Sequence, residues 1–356
     1  MLKTILKSVF GGIEESSAAV FDGVLRPNQE LDLCPLLARD LEDASDVVIL
    51  DGHPVVSVGH RLIRISGHWF APSRAVVATF DAACGALCNV AGGVAVALDG
   101  QRIVIRGGTY DGTEITEAAG RAFSCVTAMV SDGNRLVVAE GSMVHSLNAW
   151  RRDLMEAGRS GRVVEIDLAT GKSTLVAQDL AWAGGVALTP KGGVLVSESW
   201  LHRVRQIDGT GHDLENLPAY PGRLVARHGG GYWLSCFAAR TQLVDFILAD
   251  RALCSRMMAE LPEPYWVAPT LATTDHPFVP VQMGGIKQFG AVKPWAPARS
   301  YGLVVRLDAD LEPIASLHSR VDAKRHGVTG IAATDGGAVI LSGGHGKLMS
   351  HEENAV

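Results

Sequence analysis

Apolar positions along the chain gather in six paired runs, over residues 45–57, 93–105, 126–138, 185–196, 223–234 and 328–341. In each pair a short apolar strand meets a turn that contains glycine and then a second apolar strand. The turns include Asp51-Gly52, Asp99-Gly100, Asp132-Gly133, Gly192, Gly229 and Asp335-Gly336. A hairpin that returns every few tens of residues is the signature of a repeat architecture, and four short strands per unit describe a propeller blade. Residues 60–66, 161–167, 202–208 and 301–308 alternate apolar with polar, the period of a strand buried on one face. They read as third strands, and 173–177 and 313–317 read as outer strands. The fold class expected is therefore all-β, a six-bladed β-propeller forming one domain over residues 1–356. Residues 31–37 precede the first inner strand and are placed to supply the outer strand of the last blade, closing the ring and removing exposed edges.

Two blades carry long insertions between second and third strands, over 141–160 and 237–300, and residues 1–30 form an N-terminal segment. The first insertion contains a short amphipathic helical pattern around 146–157, the second a helical stretch from Thr241 to Leu261. Connections from second to third strands lie on one face of a propeller, so both insertions are expected to project over one mouth of the central channel. Long loops are usually functional or disordered, and an insertion rich in Trp, Tyr, Phe and Pro reads as a lid.

Composition narrows the function classes. Of 356 residues 47% are hydrophobic and 20% charged, enough to bury a core, and the 40 glycines suit many tight turns. A net charge of −6 without a Lys/Arg stripe argues against nucleic acid as a partner. The N-terminal apolar patch is interrupted by Lys7 and lacks a cleavage site, and the longest weakly polar stretch, 85–98, is too short to span a bilayer. Neither a signal peptide nor membrane insertion is expected. The six cysteines lack metal-type spacing and read as reduced, packed thiols of a cytoplasmic protein. No nucleophile elbow, phosphate loop or dinucleotide fingerprint is present, so no serine triad and no cofactor is expected. A small-molecule substrate is the expected partner, and a homo-oligomer stays open.

Candidates for chemistry follow from the strand ends. Glu140 and Glu198 close second strands in blades three and four, at the mouth face, where partial burial would raise a carboxyl into a useful acid/base range. Bracing of neighbouring loops, with Arg203 or Arg205 as partner, is the competing reading. His345, set among glycines, ends the second strand of the last blade. In the large insertion Tyr265, Trp266, Lys293, Trp295, Arg299 and Tyr301 combine flat apolar surface with cationic donors, a mixture that suits a small organic ligand. The alternative is that the tryptophans only pin the insertion to the blades.

Residues 150–171, opening Trp150-Arg151-Arg152-Asp153, followed by Gly184-Gly185, Pro190, Glu198, Trp200 and Arg203, resemble the strictosidine synthase-like proteins. These are six-bladed propellers related to the gluconolactonases and paraoxonases, and the resemblance covers roughly residues 40–345. It implies, for the hydrolytic relatives, a divalent ion held by Glu and Asn/Asp side chains at inner-strand mouths. Aligned on the turns, those positions hold Ala44, Gly92, Cys125, Gly184 and Gly222-Arg223, which offer no side-chain oxygen to an ion that wants six to eight. No metal is expected. It also implies a metal-free condensation in the plant members, through a glutamate that corresponds to Thr329, so that reaction does not transfer. His326, three residues earlier, either reaches the same space as a base or bonds backbone at a loop end. Arg223 and Thr329 are expected to face the substrate. The function expected is a metal-independent enzyme acting on a small organic molecule by acid/base chemistry: condensation, elimination, isomerisation or ring-opening. Two alternatives stand beside it, a metal-dependent lactonase or esterase and a non-catalytic binding propeller.

Overall fold

The computed structural model describes residues 20–68, 71–207, 209, 211–272, 300–320 and 323–353, together with two-residue strands Lys287–Gln288 and Ala291–Val292. Six antiparallel sheets form the blades of a propeller. Their inner strands are Ala44–Leu50, Cys84–Val90, Val126–Asp132, Ala183–Leu188, Ala219–Ala226 and Val328–Thr334. Each packs on the next and the last on the first. One apolar cluster fills each gap between neighbouring blades, as the alternation of the strands requires: one face of each sheet points to the blade before it and the other to the blade after it.

The ring closes as the sequence suggests. Leu36–Ala38 pairs with Lys347–Glu352 and completes the sixth blade, so the N-terminal side of the chain supplies the outer strand of the C-terminal blade. A short helix, α1 (Glu30–Leu33), precedes that strand, and Arg325 donates to the carbonyls of Leu31 and Cys34 at its end.

One blade is misaligned by the sequence pattern. In blade two the inner strand is Cys84–Val90, Gly93–Leu98 is second and Arg102–Gly107 third. The Asp99-Gly100 turn that looks like the others joins second and third strands, while the inner hairpin turns through Ala91-Gly92. Gly92 therefore lies at the far end of the hairpin from the channel mouth. Blade four is also shorter than expected, with three full strands and a single bridge between Val204 and Leu214 where a fourth would run.

Both insertions are partly helical. The first carries α2 (Trp150–Met155). The second carries α3 (Gln242–Ala249) and α4 (Arg251–Glu260), one stretch broken at Asp250. The break has a local cause: the Asp250 side chain accepts from Leu253 N–H and caps α4, as Thr241 caps α3 through Val244 N–H. Met155 of the first insertion packs with Ile247, Cys254, Met257, Trp266 and Ala268 of the second, so the two insertions share one small core of their own.

Candidate functional site

A cavity of about 630 Å³ opens at the channel mouth, lined by inner-strand ends from all six blades and by residues of both insertions. Its size suits a small organic ligand. Trp150, Trp182, Trp200 and Phe237 form one wall. Trp182 stacks on Trp200 with centroids 5.1 Å apart, and Trp150 meets Phe237 edge-on at 5.6 Å. The wall is held from behind. Trp200 Nε1 donates to Asp153 Oδ1 at 2.7 Å, and burial pushes the Asp153 carboxyl up. Trp182 adopts a left-handed backbone (φ 57°), a costly conformation for a bulky residue and one that concentrates at functional sites.

Arg223 forms the floor. Its Nη2 lies 2.8 Å from Asp46 Oδ2 in blade one, and its Nη1 donates to the Thr127 carbonyl of blade three at 2.7 Å. A blade-five guanidinium thus reaches across the channel to two other blades. Asp46 Oδ2 also accepts Leu87 N–H at 2.8 Å. Burial pushes the Asp46 carboxyl up, and the Arg223 charge opposes that shift. Thr329, from the inner strand of blade six, lines the same cavity, and its Oγ1 is buried without a partner among the described residues. Asp43 and His60 stand at the rim beside blade one, where Gly59 N–H bonds the Asp43 carbonyl at 3.2 Å. Cys84 lines the cavity too, but burial drives its thiol up to about 12, which leaves it un-ionised at neutral pH.

Gly184 and Gly185 follow from packing. A Cβ on Gly184 would fall 2.5 Å from Ser199 Oγ, and one on Gly185 would fall 2.1 Å from the Gly222 carbonyl. At Gly185 the backbone of blade five lies too close for any side chain, while at Gly184 the nearest group is a hydroxyl of blade four itself. Of the positions where the resemblance implies metal ligands, Ala44, Gly184 and Gly222 carry no side-chain oxygen, Cys125 is fully buried with its thiol pushed up to about 12, and Arg223 brings a positive charge. Among the described residues no group of three or more His, Cys, Asp or Glu side chains could hold an ion. The donor set does not fit a metal.

Several expected site residues lie elsewhere. Glu140 and Glu198 do end second strands, but both are buried away from the cavity lining. Glu140 accepts from Arg162 Nε and from the N–H groups of Ser124 (2.8 Å) and Cys125 (3.3 Å). Glu198 accepts from Ala181 N–H at 3.0 Å and from Arg203 Nε at 2.7 Å. Each ties the loop before its own blade to an arginine on the third strand, a bracing arrangement. His326 is fully buried, its Nδ1 2.9 Å from Ser300 Oγ and its Nε2 2.7 Å from the Arg320 carbonyl. His345 Nδ1 accepts from His326 N–H, and burial presses its imidazole down to about 4. Neither lines the cavity; their neighbours Thr329 and Gly343 do. Trp266 is buried in the core shared by the insertions, with Nε1 donating to the Leu261 carbonyl, and Tyr265 is 47% exposed outside the cavity. Lys293, Trp295 and Arg299 lie outside the described residues. From the second insertion Leu271 reaches the lining, with Phe237 at its root. The aromatic wall went unrecognised because its members are scattered over three blades and only the ring gathers them. The one local sign was Trp150 and Trp200 within the family-like segment.

The propeller, its channel mouth and the tryptophans of that segment can now be set beside known proteins. The chain is 30% identical over 133 residues to Protein STRICTOSIDINE SYNTHASE-LIKE 6 of Arabidopsis thaliana, which is 36% of each chain. Over that segment the chain is similar to a strictosidine synthase-like protein, and it folds as a six-bladed propeller. It is also 29% identical over 142 residues to the adipocyte plasma membrane-associated protein of Salmo salar, 36% of this chain and 34% of the relative. The aligned segment thus spans about a third of the length of these curated relatives. A gluconolactonase from Xanthomonas campestris shares the fold with a TM-score of 0.52 at 11% identity, over 86% of either chain. No family model matches the chain. Among the described residues no helix is long and apolar enough to cross a membrane.

Proposed function

We propose that this strictosidine synthase-like propeller is a metal-independent enzyme of the cytoplasm that performs acid/base chemistry on a small organic molecule in the channel-mouth cavity. The observation that carries the reading is the lining itself: an aromatic wall opposite an arginine floor, with titratable groups at the rim. Condensation, elimination, isomerisation and ring-opening all begin with a proton moved to or from the substrate. His60, with Asp43 beside it on blade one, is the residue offered for that step, because imidazole is the commonest general acid/base in enzymes. The buried Glu140, Glu198 and His326 are committed to structural bonds. The cap formed by the two insertions serves as a lid that covers the ligand from above.

The test is a turnover screen with small aromatic aldehydes, lactones and esters, run with and without EDTA. Activity is expected to survive chelation, and His60→Gln should lower kcat by about 10²-fold while ligand affinity stays within a few-fold. Activity that vanishes with EDTA and returns with calcium would establish the metal-dependent hydrolase instead. A binding propeller is the second reading, favoured by how few titratable side chains reach the cavity. Ligands that bind without being consumed, in wild type and His60→Gln alike, would establish it.

A further inference from the structure

Buried polar side-chain atoms are almost always hydrogen-bonded, and exceptions that cluster call for an explanation. Nine such atoms lack a partner among the described residues, and three of them, Asp46 Oδ1, Arg223 Nε and Thr329 Oγ1, belong to the channel floor. Asp46 and Arg223 are bonded to each other. Thr329 lines the same cavity from blade six, with its Oγ1 set against Gly343. The bonds to Asp46 and to the Thr127 carbonyl occupy two of the five N–H groups of the guanidinium. Arg223 nevertheless lines the cavity, with its side chain 10% exposed. The side chain is therefore pinned by two blades and left with donors to spare at the bottom of a pocket with an aromatic wall. A structural ion pair alone would have no reason to end at the cavity surface.

We infer that the channel floor is a carboxylate-binding site: Arg223 receives the carboxylate of a planar organic acid, the Thr329 hydroxyl assists it, and the indoles above hold the acid's flat body. Two features select this ligand. A guanidinium prefers planar, two-oxygen anions, which it meets with parallel N–H bonds. Trp182 stands next to that anion site: a Cβ on Gly141 would fall 2.8 Å from the Trp182 ring and 2.9 Å from Thr127 Cγ2, the residue whose carbonyl holds Arg223. A flat apolar ring rising from Arg223 thus runs along the stacked Trp182–Trp200 pair. This names the substrate class of the proposed enzyme and rests on reading the cavity as its binding site.

Three of the seven tryptophans line the cavity, so intrinsic fluorescence reports occupancy. The experiment titrates the full chain with benzoate and with benzamide, a neutral molecule of nearly the same shape. Benzoate is expected to bind about 10- to 100-fold more tightly, the worth of a charge-assisted bond. In the double variant Arg223→Met/Asp46→Asn, which removes the pair together and strands neither charge, the two ligands should bind alike. Thr329→Val should narrow the preference without abolishing it. Equal affinity of wild type for both ligands, no binding of benzoate up to millimolar concentrations, or a preference that survives in the double variant would each overturn the inference. If the double variant fails to fold, the wild-type ratio and Thr329→Val still decide. None of these readouts needs turnover. A chain that prefers benzoate yet consumes nothing loses the enzyme reading and keeps this one.

Discussion

At the scale of single residues, the carboxylates at the ends of second strands show how position and role separate. Glu140 stands where the strand pattern puts it, at the mouth end of blade three, yet its charge is consumed by Arg162, 22 residues further on, and by two backbone N–H groups. The pair is buried, with side-chain exposures of 3% for Arg162 and 0% for Glu140. Removing one member of such a pair leaves the other charge uncompensated, a loss of about 3–5 kcal/mol. Glu140→Ala should therefore lower the urea midpoint sharply while benzoate affinity in the folded protein stays unchanged. If stability holds and ligand binding collapses, Glu140 faces the ligand after all. Arg223 and Thr329, by contrast, do line the cavity. Their place there was legible because inner-strand mouths border the channel, whichever residues occupy them.

At the scale of elements, the cap is where pattern and packing share the outcome. Helical periodicity between Thr241 and Leu261 was visible in the sequence, and so was its break, had Asp250 been read as an N-cap. The role of Trp266 was not. An aromatic residue in an inserted segment suits a ligand as well as a core, and only its contacts with Met155, Cys254 and Met257 choose the core. Truncating a buried tryptophan costs about 3–5 kcal/mol, which here falls on the cap and not on the blades. Trp266→Ala should speed hydrogen exchange across 242–260 and weaken benzoate binding, while exchange in the inner strands stays at wild-type levels. Wild-type affinity in a variant with a demonstrably loosened cap would remove the lid from the account of the site.

At the scale of the whole molecule, ring closure buries imidazoles that the unfolded chain would expose. Burial holds His202 down to about 3, and His318 and His345 down to about 4, from an ordinary value of 6.5. These groups stay neutral in the fold, whereas the unfolded chain takes up protons below about pH 6.5. Their contribution to stability is thus complete above that pH and is lost progressively as pH falls toward about 4. The buried carboxyls Asp46, Asp153 and Asp245 are shifted upward and work in the opposite direction. A comparison therefore isolates one histidine best. His318 is fully buried between Tyr301 and Ser316. In His318→Asn the fall of unfolding free energy between pH 6.5 and 4 should be shallower than in wild type, by about 1.4 kcal/mol per pH unit. Parallel curves for the two proteins would show that His318 does not titrate across unfolding.

The sequence by itself determined what depends on neighbours along the chain: the alternation that makes strands, the glycine-bearing turns, the number of blades, the two insertions and the early segment that completes the last sheet. It misplaced one register, in blade two, because Asp99-Gly100 and Ala91-Gly92 both turn a chain and local chemistry cannot say which turn belongs to the inner hairpin. Tertiary structure alone decided which side chains meet. Asp46, Thr127 and Arg223 come from three blades, and Trp150, Trp182 and Phe237 from three, two of which are shared. Closing the ring brings residues nearly two hundred positions apart within hydrogen-bonding distance, and no periodicity along the chain records that encounter.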